Sequence, residues 1–146
     1  MAGQHRLSDN IKLLKIQDHT AAGTSTITSD AVDTQGYGGV MLVTSVGTAA
    51  ANNTVKAQQS SDDGVADSYG DLEGTSVASG TSDEDLWIDV FKPMKRYIKF
   101  VVARGTSTTL ETLWAILYRP DRGPVDNTTS GTIIGESFNG PDEGTA

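Results

Sequence analysis

Apolar residues recur along this chain at every second position, in short runs separated by clusters of Gly, Asp, Asn and Ser. No window of helical length carries a 3.6-residue stripe. The clearest run is Leu86-Trp87-Ile88-Asp89-Val90-Phe91, in which Leu86, Ile88 and Val90 share one face while Trp87 and Phe91 flank Asp89 on the other. A strand turns alternate side chains to opposite faces, so the first set predicts a core-facing side and the second a sticky or covered surface. The turn at residues 36–39 and the C-terminal tail are the segments available to cover it. Residues 40–46 predict a strand with Val40, Leu42 and Val46 on one face and Met41 and Val43 on the other. Residues 55–60 alternate Val55 and Ala57 with Lys56 and Gln58, a half-solvated strand that ends at the turn Ser61-Asp62-Asp63-Gly64. Residues 11–17 place Ile11 and Leu13 on one face and Leu14 and Ile16 on the other, which predicts a strand covered on both sides, with a subunit contact as one such cover and a short helix as the alternative. Residues 24–28 suit an edge strand, 69–72 a weak one and 73–82 a polar loop.

The strongest strands are predicted at 96–103 and 110–118. Joined by Arg104-Gly105-Thr106-Ser107-Thr108-Thr109, they suit a hairpin: Ile98, Phe100 and Val102 oppose Tyr97, Lys99 and Val101 in the first, and Leu113, Ala115 and Leu117 oppose Trp114, Ile116 and Tyr118 in the second. Apolar residues on both faces place this pair at the centre of a sheet covered on both sides. Seven or eight short strands without a helix predict an all-β fold, an antiparallel β-sandwich or jelly-roll-like arrangement, with an up-and-down barrel as the alternative.

The ends of the chain break the pattern. Residues 1–10 form an N-terminal extension, 11–120 the β-sandwich domain, and 121–146 a polar, Gly- and Thr-rich C-terminal arm. Within the arm lie Thr132-Ile133-Ile134 and a lone Phe138. Segments that stay disordered carry few aliphatic or aromatic residues, so Ile133, Ile134 and Phe138 predict a contact outside the domain, by addition to a neighbour's sheet edge. Leu7 and Ile11 near the N-terminus, with Trp87 and Phe91, complete the candidate protein-contact residues.

Composition removes several kinds of chemistry. The 146 residues suit a single domain, and 19 Asp and Glu against 11 Lys and Arg give a net charge of -8, a field that repels polyanions. The one basic cluster, Lys92, Lys95, Arg96 and Lys99, is interrupted by Pro93-Met94 and suits a charged turn and a solvent face, so no direct nucleic-acid contact is expected. There is no Cys, and therefore no disulfide or thiolate-ligated metal. Residues 1–10 lack the apolar stretch of a signal peptide, and nowhere are there the roughly 20 apolar residues of a membrane span.

His5 lies in a frayable terminus and His19 in a turn, neither held as a catalytic base must be. No G-x-S-x-G elbow or phosphate-cradling loop is present. The acidic stretch containing Asp62, Asp63, Asp67, Asp71 and Glu73 fails the calcium-loop spacing, leaving only a stray divalent site between Asp67 and Asp71 as an alternative. Asp83, Glu84 and Asp85 are adjacent at a strand entry and suit a solubilising role better than a glycosidase pair. The chain is expected not to be an enzyme and to need no cofactor and no metal.

Four segments carry a family resemblance: Asp33-Thr34-Gln35-Gly36-Tyr37, the run from Val55 through Gln58 and Ser60 to Gly64, Lys95-Arg96-Tyr97-Ile98-Lys99-Phe100, and Leu117-Tyr118-Arg119-Pro120. Together they resemble the capsid cement or head decoration proteins of tailed bacteriophages, over roughly residues 10–124. The resemblance implies a β-sandwich or jelly-roll protein on the outer surface of the virion capsid. There it would bridge and stabilise subunits of the major capsid protein, often as a homotrimer, with no catalytic residue, nucleic acid or membrane involved. The alternatives are another β-rich virion component, such as a head fiber, tail or minor capsid protein, and a carbohydrate-binding module in which Trp87, Trp114 and Tyr118 stack on sugar rings.

Overall fold

The structure is a computed structural model that describes residues 6–49, 51–127 and 132–145. A 3-10 turn at Leu7–Asp9 precedes the strands β1 (Ile11–Gln17), β2 (Thr20–Gly23), β3 (Ile27–Thr28), β4 (Val32–Asp33), β5 (Tyr37–Ser45), β6 (Asn53–Ser60), β7 (Gly70–Asp71), β8 (Val77–Ser79), β9 (Asp85–Phe91), β10 (Tyr97–Ala103), β11 (Thr108–Leu110) and β12 (Leu113–Pro120). Among the described residues there is no α-helix. A four-stranded sheet runs β1-β12-β5-β9. A six-stranded sheet runs β3-β10-β6-β7, with β4 also on β10 and β8 also on β6, and β2 and β11 form a separate ribbon. All pairings are antiparallel. The all-β antiparallel sandwich predicted by the alternation is therefore observed.

Period-2 alternation sorts the side chains into the core. The four-stranded sheet contributes Val40, Leu42, Leu86, Ile88, Leu113, Ala115 and Leu117, and the six-stranded sheet Val32, Val55, Ala57, Ile98, Phe100 and Val102. Each such aliphatic or aromatic side chain contributes about 1.5–3 kcal/mol when buried. These are the faces predicted for residues 40–46, 86–91, 97–102 and 113–117.

The predicted hairpin of 96–103 with 110–118 does not form. β10 lies between β3, β4 and β6, whereas β12 lies between β1 and β5 in the opposite sheet. After Ala103 the chain crosses the sandwich instead of folding back, and two side chains hold the crossing. The buried Arg104 guanidinium donates to the carbonyls of Ala21 (2.7 Å), Ser25 (2.8 Å) and Thr108 (2.9 Å) and to Ser25 Oγ (2.8 Å). The buried Asn53 Oδ1 accepts from the Gly105 N–H (2.7 Å) and from Thr108 Oγ (2.8 Å). Side chains thus satisfy backbone groups of the crossing, at Gly105 and Thr108, and of the segment beside it, at Ala21 and Ser25.

Smaller departures have similar causes. Strands form at 20–23 and 27–28 rather than across 24–28, because Thr108 pairs with Gly23 and Leu110 with Thr20. The loop expected at 73–82 contains β8, which pairs with Asn53, Thr54 and Val55. Residues 11–17 are a strand, not a helix, with Ile16 buried and Leu14 packed on the core.

Turns outside the core are organised by carboxylates, and this carries a pH dependence. Asp67 is held down to about 2 by the Lys95 ammonium at 2.7 Å and by the Ser61 N–H and hydroxyl. Glu84 is also held down to about 2, by the Ser79 hydroxyl, the Gly80 N–H and Thr81. The forked Arg96 guanidinium lowers Asp33. A carboxylate with a folded-state pKa below its unfolded value contributes stability that is present above the unfolded pKa and lost as pH falls through the folded one. Thermal melts followed by circular dichroism are therefore expected to hold a constant midpoint from neutrality to about pH 5 and to fall steeply between about pH 4 and pH 2. A midpoint unchanged down to pH 2 would contradict these contacts.

Candidate functional site

Carried to the other side of the four-stranded sheet, the same alternation leaves an apolar surface with no second layer. Strand register places Tyr118, Gly39 and Phe91 in one row with Ile11 beside Tyr118. Ile116, Met41 and Asp89 form the next, with Leu13, and Trp114, Val43 and Trp87 the third, with Lys15. Lys15 and Asp89 are the only charges in these rows. Trp87 is 62% exposed, Phe91 50% and Asp89 between them is exposed too, while Met41, Val43, Trp114, Ile116 and Tyr118 are half-buried.

The outer face of the six-stranded sheet is wet by comparison. Lys56 bonds Asp71 at 2.7 Å, Gln58 bonds the same carboxylate, and Lys99 lies over the Tyr69 ring at 4.4 Å. Scattered apolar residues on a surface need no explanation, but a contiguous patch marks an interaction site.

Gly39 shapes one end of the patch. A Cβ there would fall 2.4 Å from the Tyr118 ring, so only glycine lets that ring lie flat across β5. The ring stacks beside Phe91, with centroids 6.4 Å apart and planes 10° from parallel, and its hydroxyl donates to Asp89 at 2.5 Å. Burial, and then the Asp89 carboxylate, push the Tyr118 hydroxyl up to about 12, so it remains a donor at any physiological pH. Lys92 and Arg119 lie over the Phe91 ring, 5.2 and 5.5 Å from its centroid. The face therefore ends in a rigid aromatic pair rimmed by cations.

The opposite end is β1, and here the N-terminal segment and the arm meet. Asn127 acts as a one-residue substitute for a neighbouring strand. Its Oδ1 accepts from the Leu13 N–H at 3.0 Å, and its amide donates to the carbonyls of Ile11 (2.6 Å) and Ser8 (2.8 Å). Val125 N–H bonds the Asp9 carbonyl, and Lys12 Nζ bonds that of Asp126.

Beyond residues 128–131, which lie outside the described residues, the chain returns to the same place. Ser137 bonds Ser8 at 2.6 Å, and Arg6 donates to Asn139. Ile133 is half-buried and, with Ile134, Leu13 and Val125, lines a cleft of about 530 Å³. Ile134 is 88% exposed, and Phe138 and Leu7 are also exposed.

Of the predicted contact residues, Ile11, Trp87 and Phe91 share one sheet face. Leu7, Ile133, Ile134 and Phe138 lie in the segments gathered along its β1 edge. Neither expected cover lies over Trp87 and Phe91: the arm is docked at the opposite edge of the sheet, because its hydrogen-bond partners are there. Among the described residues no second layer lies over the outer face of residues 11–17 and 110–118, where Leu13 borders the cleft lined by Ile133 and Ile134, so the described part of this chain does not itself supply the second cover expected for these strands. Met41, Val43 and Ile116 were missing from the candidate contacts. Their signal is the apolar second face of their strands.

The remaining candidates are drawn into local contacts. Asp67 and Asp71 are engaged separately, by Lys95 and Lys56. His19 sits 3.2 Å from Glu111 on the surface, and His5 lies outside the described residues. No protein-family model matches the sequence, and no curated protein matches it.

Proposed function

We propose that the chain is a structural, protein-docking β-sandwich, a cement or decoration protein that sits on the outside of a tailed-phage capsid and seats its four-stranded sheet on the major capsid protein. The observation that carries this reading is the uncovered apolar face from Ile11 and Leu13 on β1 to Trp87 and Phe91 on β9. The phage resemblance of the four quoted segments supplies the class of partner. Four strands at about 4.8 Å spacing and seven residues at about 3.3 Å give roughly 400 Å² of sheet, about half of what one partner contributes to a standard interface. Leu7, Ile134 and Phe138, exposed in the segments beside β1, extend the same surface outward.

A second reading, carbohydrate binding, is favoured by one observation: Trp87, Trp114 and Tyr118 do share this face. It explains less, because sugar recognition also needs several polar groups aimed at hydroxyls, and in these rows Asp89 is the one carboxylate between the rings.

Cosedimentation with assembled capsid shells that lack this protein tests the proposal. Saturable pelleting of the chain with the shells is expected. A chain that stays in the supernatant at every shell concentration would overturn it.

A further inference from the structure

The sheets end in edges of different kinds. β3, β4, β7 and β8, on the flanks of the six-stranded sheet, are two or three residues long. β1 is blocked by Asn127 and its register shifts between Lys15 and Gln17. β9 has neither protection. Its seven residues pair only with β5, in unbroken register from Ser45–Asp85 to Gly39–Phe91, and contain no Pro, no Lys and no bulge. A long, straight, half-apolar edge presents unpaired N–H and C=O groups as a template for another strand, and proteins normally guard against this.

The two ends of this edge differ in charge, with Asp89 between them. Asp85 at its start is exposed and belongs to none of the ion pairs among the described residues. At its end Lys92 and Arg119 lie over Phe91, also without a carboxylate partner among the described residues.

We propose that β9 is a self-association edge, pairing antiparallel with β9 of a second copy about a two-fold axis at Ile88. This register sets Asp85 opposite Phe91 of the second copy, beside its Lys92 and Arg119, and the two-fold repeats the contact at the other end. Trp87 comes opposite Asp89, placing an indole N–H near a carboxylate that has acceptor capacity left after the Tyr118 bond. On the inner side Leu86 meets Val90 and Ile88 meets Ile88, and a cleft of about 490 Å³ runs along this edge between residues 85–89 and Gly74, Thr75 and Val77. Such an interface is isologous: one patch serves both copies and closes without propagating.

Pairing also joins the two outer faces into one continuous apolar surface of roughly 800 Å², the area one partner brings to a standard interface. The pairing needs no capsid to be observed, so its failure would leave the docking proposal standing.

Sedimentation equilibrium of the full chain tests it, beside Asp85→Lys, Lys92→Glu and the double reversal. All three change exposed side chains, and circular dichroism checks that each remains folded. The parent chain is expected to be a dimer. Each single reversal sets like charges against each other at both ends and should raise the dimer dissociation constant about tenfold or more, and the double reversal should return it to near the parent value. A monomer or a trimer at every concentration, or a double reversal no better than the singles, would overturn the proposal.

Discussion

Replacing Arg104 by Met is expected to lower the unfolding free energy by about 3–5 kcal/mol, the largest loss from a single substitution outside the apolar core. The guanidinium is buried and donates to three carbonyls and one hydroxyl, from Ala21, Ser25 and Thr108. Methionine fills a similar volume but takes the guanidinium from a buried carbonyl, that of Thr108, and from the partly buried ones of Ala21 and Ser25, and losing a donor to a buried acceptor costs about 1–3 kcal/mol. Gly23 is part of the same design, since a Cβ there would fall 2.9 Å from the guanidinium. Arg104→Lys should recover only part of the loss, because a single ammonium cannot reproduce a planar fork aimed at three carbonyls on two chain segments. Urea unfolding of the parent and both variants gives the numbers. A loss under about 1 kcal/mol for the Met variant would show that water can replace the guanidinium and that the crossover does not depend on it.

This crossover marks where the sequence stopped being legible. Strand faces could be read from period-2 alternation, because a strand with one buried face has a single register that keeps its apolar set dry. Val40 and Leu42, Ile98 and Phe100, and Leu113 and Leu117 were placed on the core side for that reason, and they are there. Which strands pair is decided elsewhere. The residues 104–109 look like a hairpin loop, and nothing local reveals that Arg104 and Asn53 reach segments dozens of residues away. The short strand Val77–Ser79 was hidden for a related reason: its pairing with Asn53–Val55 is a tertiary contact imposed on a weakly patterned segment.

Half of the candidate site was legible. Trp87 and Phe91 stood out because they break the polar side of an otherwise amphipathic strand. Met41, Val43 and Ile116 did not, because a strand apolar on both faces has the same sequence whether its second face meets another layer or meets solvent. Only the placement of the arm at the β1 edge, through Asn127, Ser137 and Asn139, shows that no part of the described chain covers this side.

Met41 lies at the middle of that face, between Ile116 and Asp89, so Met41→Glu should have the largest effect on docking of any single change. It adds a carboxylate beside an existing one in a surface that must be stripped of water, and burying such a charge without a partner costs several kcal/mol. Affinity should fall by about a hundredfold or more, since each 1.4 kcal/mol is a factor of ten. The side chain points away from the core, so the folded state should lose no more than about 1 kcal/mol. Met41 is also on β5 rather than β9, so the β9 edge is unchanged and a loss of docking is not a loss of pairing.

The most direct test of the account is the binding isotherm of the parent chain and of Met41→Glu on assembled capsid shells, read by cosedimentation with circular dichroism as the check on folding. Saturable binding by the parent and loss of about a hundredfold or more by a folded Met41→Glu chain is the predicted result. Equal binding by the two folded chains, or binding by the parent that soluble saccharides compete away, would contradict it.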